Sequence, residues 1–295
     1  MYEGVCGIAI FYAASAKTTG NPRCRIDALS TLQLLRERLR SGTSFAKAWI
    51  GGMEGLGSII YTFVRVGRLL DEPELLEEAA RIVSRMTDER IQADEKFDVM
   101  HGAAGAILSL LVLYETTQDP IALKKAVQCG EHLLRHRTAQ GDGFLVWAGM
   151  DGKALAGFSH GAAGIAYALI RLSAHAQDER FLAAAREAIR YETFLFQSGR
   201  GVWPDLRASE GRAGLTDAWC NGAAGIGLSR LNMLDAIPAD DLRNDIDAAV
   251  RIVRSRLHND GRDHLCCGTM GRIEFLLSAG SPSTTFSASS TALPE

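Results

Sequence analysis

No apolar run in the 295-residue sequence reaches the roughly 18 residues that suggest a membrane-crossing helix. Charge of one sign is equally scarce. Thirty-two Lys and Arg stand against 35 Asp and Glu, a net charge of −3, which removes the electrostatic case for a nucleic-acid partner. Six cysteines are too few for a disulfide scaffold. No convincing alternation of apolar and polar residues marks a strand. The first 16 residues lack a basic leading segment and carry Glu3, so they do not read as a signal peptide.

What is present is ordinary in bulk and unusual in arrangement. Hydrophobic residues make up 47% and charged residues 23%, enough for one large buried core or two small ones. A short unit recurs: one variable residue, then Gly-x-x-Gly, then an apolar run. The variable residues are Glu3, Glu54, His101, His160, Asn221 and Cys267, spaced 46 to 61 residues apart. Three copies are identical after the variable residue, and only the second departs, with Ser58 for the last glycine.

Each unit predicts a helix. The segments 105–114 and 164–172 are apolar nearly all round, as in helices buried on most sides. Between the units lie more amphipathic helices, over 73–86, 120–136, 181–196 and 239–257. The first two have a proline in the first turn, where a missing N–H costs nothing. An inner apolar helix alternating with an outer amphipathic one predicts an all-α fold, an α/α toroid of about six inner and outer pairs. In such a ring the residues before each Gly-x-x-Gly can gather at one end. Core packing would put apolar residues there, so polar ones imply a site.

Two units carry extra thiols. Cys220 stands just before the fifth inner helix, and Cys266 and Cys267 just before the sixth. Three thiols at matched places in adjacent repeats can converge on one metal. Zinc takes thiolates in tetrahedral geometry, and three protein ligands leave a fourth position open. The bland alternatives are inert buried cysteines or a vicinal disulfide between Cys266 and Cys267.

Trp219-Cys220-Asn221-Gly222 followed by Cys266-Cys267-Gly268, on a backbone of Gly-x-x-Gly repeats, resembles the LanC superfamily. The Cys-Cys-Gly form is similar to the cyclase domain of LanM-type lanthipeptide synthetases. The resemblance implies one zinc ion on Cys220, Cys266 and Cys267. It implies addition of cysteine thiols to dehydroalanine or dehydrobutyrine in a dehydrated precursor peptide, giving (methyl)lanthionine thioethers. It also implies His160 as the proton donor to the α carbon, with Asp98 as a partner that orients or tunes a proton-transfer group. Asp98 reads equally well as a helix cap, and His101 is a weaker candidate in the place of His160. Implied partners are the peptide and a dehydratase domain or protein. The implied setting is the cytoplasm, with peripheral association to a membrane-bound biosynthetic complex as an option. Standalone relatives carry an arginine four residues before the first zinc cysteine and a tyrosine just after it. Here those places hold Thr216 and Asn221, which leaves the arginine's role to another residue such as Arg212.

The expected domain is 1–279, with a Ser/Thr-rich tail over 280–295, uncharged until Glu295, that reads as disordered. Six units rather than seven imply a missing last pair. Two other functions fit in part: a degenerate peptide-binding module without catalysis, and a toroid carbohydrate enzyme. The latter needs paired carboxylates, for which only Glu3 and Glu54 stand at the repeat position, and aromatics are only 7%.

Overall fold

The computed structural model describes residues 4–41, 48–140, 143–149, 152–196, 201–207, 217–257 and 263–280. Among these, the elements are α1 (Val5–Thr19), α2 (Pro22–Arg40), α3 (Leu56–Leu70), α4 (Pro73–Val83), α5 (Asp88–Gln92), α6 (Ala103–Thr117), α7 (Pro120–Arg135), β1 (Thr138–Gln140), β2 (Phe144–Val146), α8 (Ala162–Ala176), α9 (Glu179–Leu195), α10 (Ala223–Leu231), α11 (Ala239–Arg256) and α12 (Thr269–Gly280). The alternation of apolar and amphipathic helices is as the repeat predicts. The antiparallel hairpin β1–β2, with Thr138 opposite Val146, is not predicted. Its strands are three residues long, too short to show a period of two. Of the expected tail, 281–295 lies outside the described residues, as do Glu3, Arg212 and Thr216.

The inner helices α1, α3, α6 and α8 are all 15 residues long, and the reason lies in their last turn. Gly20, Asp71, Gln118 and Gln177 each adopt a left-handed conformation, at the same sequence distance from the variable residue of their repeat. That conformation ends a helix by turning the chain back. Pro22, Pro73 and Pro120 then open the outer helix two residues later, with Asn21 and Asp119 capping α2 and α7 through their side chains. Helix α10 is shorter, nine residues, and ends in an irregular turn at Asn232.

The starts of the inner helices are set by main chain. The N–H of Ser58, Gly105, Gly164 and Gly225 donates to the carbonyl seven residues back, on Gly51, Asp98, Gly157 and Ala218. The turn is so tight that a Cβ on Gly105 would lie 2.0 Å from the Val99 oxygen. One on Gly225 would lie 1.8 Å from the Trp219 oxygen, and one on Gly271 2.1 Å from the Leu265 oxygen. Glycine at these three positions is therefore a steric requirement, whereas the second repeat makes the same bond with Ser58.

The chain divides into two compact units, residues 1–136 with 171–178, and residues 137–170 with 179–295. In the first, α2, α4 and α7 each cover their own inner helix, α1, α3 and α6, and these three lie side by side. Helix α6 is buried over most of its length, including Ile107, Leu110, Leu111 and Leu113. In the second unit α10, α11 and α12 surround Trp203 and Phe275, both fully buried. The Phe275 ring fits because Gly227 leaves room: a Cβ there would meet it at 2.4 Å.

Candidate metal centre

The second unit brings the two thiol-bearing turns together. The Cys220 N–H donates to the Cys266 carbonyl at 3.2 Å. Asp217, three residues before Cys220, pairs with buried Arg272 on α12 at 3.2 Å. The Cys266 thiol, and the charges of Cys266 and Cys267, act on the Cys220 thiol. All six cysteines are free thiols, so the vicinal disulfide is not formed. The three sulfurs do not all lie within 4.8 Å of one another. In a tetrahedral zinc–thiolate site sulfurs stand roughly 3.8 Å apart, so the three thiols would have to draw together to share one ion.

The thiols of this cluster hold their protons. The Cys266 thiol, burial, and the charges of Cys266 and Cys267 push the Cys220 thiol up, while Arg207 pulls it down. Crowded thiols resist losing protons to one another, and a divalent ion reverses that balance. Three thiols on two adjoining turns are the donor type that zinc takes.

Arg207 is a residue that sequence reasoning missed. Its guanidinium makes a two-pronged pair with Asp205, Nε to Oδ1 at 2.9 Å and Nη2 to Oδ2 at 2.8 Å. With the Asn221 amide oxygen turned toward it, Oδ1 accepts from Nη1 at 2.6 Å and Nη2 at 2.7 Å, and the amide nitrogen donates to the Cys220 carbonyl at 3.3 Å. Asp205 raises the Arg207 pKa first, burial opposes this, and the Cys220 and Cys266 thiols add to the rise. The guanidinium thus lies within electrostatic reach of the thiol cluster. The only signal in the sequence is Asp205-Leu206-Arg207 after an isolated Trp203.

His160 belongs to the same unit. Its turn packs directly on the Cys220 turn: Ser159 N–H donates to the Cys220 carbonyl at 3.0 Å. Gly157, at φ 99°, leaves no room for a side chain, since a Cβ would meet the Asn221 Cα at 2.6 Å.

Asp98 lies in the first unit and is buried. Its Oδ1 accepts from the N–H groups of His101 at 2.7 Å and Gly102 at 3.1 Å, which is the capping role. Its Oδ2 stands 3.8 Å from His101 Nδ1, and Glu54 Oε2 stands 3.5 Å from His101 Nε2. The Asp98 carboxylate raises the His101 pKa, burial opposes it, and Glu54 adds to the rise. Within this unit the imidazole that Asp98 tunes is His101. Trp49, half exposed, meets the His101 ring edge-on at 5.7 Å, and Lys96 lies over the indole.

Helix pairs in repeat, with chemistry-bearing residues at the helix starts, place the chain among all-α proteins of the α/α toroid class. It is similar to nisin cyclase, with 18% identity, a TM-score of 0.66, and coverage of 92% of this chain and 74% of that one. It is also similar to cellobiose 2-epimerase from Spirochaeta thermophila DSM 6192, at 12% identity, TM-score 0.60, and 94% and 86% coverage. A D-mannose isomerase matches at 12% identity, TM-score 0.58, and 93% and 84% coverage. No curated protein sequence matches significantly. The family model for lanthionine synthetase C-like protein matches residues 1–283, and the chain belongs to that family. No helix among the described residues is long and apolar enough to cross a membrane.

Proposed function

We propose that this chain is a zinc-dependent lanthipeptide cyclase that adds cysteine thiols of a dehydrated precursor peptide to dehydroalanine or dehydrobutyrine. The observation that carries the reading is the main-chain bond from Cys220 to Cys266, which joins two thiol-bearing turns at matched places before two inner helices, with Cys267 adjacent. These three residues would hold one zinc ion, which when bound acts as a Lewis acid that makes an incoming thiol acidic at neutral pH.

The rest of the chemistry falls to the chain itself. Thiol addition forms an S–Cβ bond, breaks the Cα=Cβ π bond and leaves an enolate that needs one proton at Cα. His160 is the proposed donor of that proton, held over Cys220 by the Ser159 hydrogen bond. Asp98 is the proposed tuning residue, acting on the neighbouring His101. Arg207 compensates the excess negative charge of three thiolates around a divalent ion. The dehydro residues must come from a dehydrating enzyme, so a dehydratase domain or protein belongs to the proposal, whether the parent is a LanM-type synthetase or a standalone cyclase. The cytoplasm, where thiols stay reduced, is the proposed setting.

The test is zinc content together with thioether formation on a synthetic peptide holding one cysteine and one dehydroalanine. One zinc per chain and a thioether product are expected, both lost in Cys220→Ala. Zinc without thioether on any dehydrated peptide would instead favour a peptide-binding module. Turnover of a sugar by metal-free protein would instead mark a carbohydrate enzyme.

A further inference from the structure

Glu192 is fully buried on α9, an outer helix, yet it reaches the turn that carries His160. Its Oε1 accepts from Gly157 N–H at 2.8 Å and from Ala163 N–H at 3.0 Å, so one oxygen spans both ends of that turn. Its Oε2 accepts from Arg230 Nη2 at 2.8 Å, and Arg230 in turn donates through Nε to Asp245 at 3.0 Å. The Glu192 backbone carbonyl accepts from the Trp203 indole N–H at 3.0 Å. Trp203 begins the short strap that ends in Arg207 on Asn221.

One residue therefore fixes both sides of the proposed centre. Its carboxylate fixes the His160 turn, and its main chain fixes the strap beside Cys220. A buried carboxylate is costly, and a stable core would be better served by an apolar residue of similar size. What Glu192 supplies is two backbone acceptor contacts at a turn whose seven residues must close tightly on Cys220 and Asn221.

From this we infer that Glu192 is a positioning residue, holding His160 at a set distance and direction from the thiol cluster so that protonation at Cα occurs on one face. The inference rests on the cyclase reading above. The proton that Cα gains balances the one lost by the incoming thiol, so no further reactant is needed. Because Cα becomes a stereocentre in that step, a misplaced donor shows in the configuration of the product. Proton delivery from solvent gives both configurations.

The experiment compares Glu192→Gln, Glu192→Asp and Glu192→Leu with the parent on the dehydroalanine peptide, reading rate, zinc content and the ratio of lanthionine diastereomers. In parallel, Co2+ replaces zinc, and paramagnetic relaxation of the His160 ring protons reports their distance from the metal. Glutamine keeps the Oε1 acceptor and should give the parent's diastereomer from a less heat-stable protein. Aspartate withdraws the acceptor, and leucine removes it. Both should hold zinc, cyclise about 10- to 100-fold more slowly, the cost of misplacing a reacting group by about 1 Å, and yield mixed diastereomers with a displaced His160 ring. If Glu192→Leu does not fold, Glu192→Asp decides. A folded, metal-loaded Glu192→Asp with the parent's diastereomer ratio and metal–His160 distance would overturn the inference. A parent that forms no thioether, while Glu192→Asp still moves His160, would sink the cyclase reading and leave the positioning role standing.

Discussion

Ser159 gives its backbone N–H to the carbonyl of Cys220 at 3.0 Å. This bond ties the proposed proton donor to the proposed metal ligand through main chain alone. Side-chain changes at either residue should therefore leave the other in place. His160→Ala is expected to retain one zinc per chain and lower cyclisation at least 100-fold, within the range of general acid catalysis. Loss of zinc on the same change, measured by elemental analysis, would mean that His160 is a ligand instead.

Cys267 holds the variable position of its own repeat, one residue beyond Cys266. A histidine there keeps a metal-binding donor. Cys267→His is expected to bind zinc but to cyclise the precursor more slowly, because a neutral ligand leaves less electron density on the bound thiolate. A variant as fast as the parent counts against that account of the ligand set.

Arg207 is partly exposed, so its effect on the thiols is screened but not lost. Arg207→Leu is expected to weaken zinc binding about tenfold in a chelator competition, or roughly 1.4 kcal/mol. The loss should shrink as salt is added. Affinity equal to the parent at low salt would remove Arg207 from the site.

The neighbouring carboxylates raise His101, so its protonated form is favoured by folding. The stability this contributes is fully present below the unfolded pKa of about 6.5 and is lost as pH rises through the higher folded value. Asp98→Asn should move the imidazole titration downward, as followed by NMR of the ring protons. It should also flatten the decline in stability above neutral pH. An unchanged titration would show that Asp98 serves only as a cap.

Gly105 and Gly225 have no space for a methyl group against the carbonyls of Val99 and Trp219. Either glycine changed to alanine should cost about 2–4 kcal/mol in denaturant unfolding, since backbone rather than a flexible side chain must yield. Gly143, with open space around it, should cost far less in the same experiment, although its φ of 92° favours glycine.

Much of the fold was legible because it repeats. The Gly-x-x-Gly units mark each inner helix start, and prolines 22, 73 and 120 open the outer helices that follow. The thiols were legible for the same reason, being placed by register. Glu192 and Arg207 were not, because their roles depend on reach from elements with no fixed offset to the motif. Glu192 sits on an amphipathic outer helix, where a glutamate reads as a solvated surface residue until its burial is known. Asp98 was ambiguous in sequence between cap and tuning group, and its two oxygens divide between those tasks.

The carbonyls that occupy the Cβ positions of Gly105, Gly225 and Gly271 have a consequence for how such a protein diversifies. Each inner helix start is built from main chain and small residues, so the side chain just before it carries little of the folding burden. That position is a socket: glutamate, histidine, asparagine and cysteine all occupy it in one chain. New chemistry can be installed there one residue at a time without rebuilding the turn beneath it.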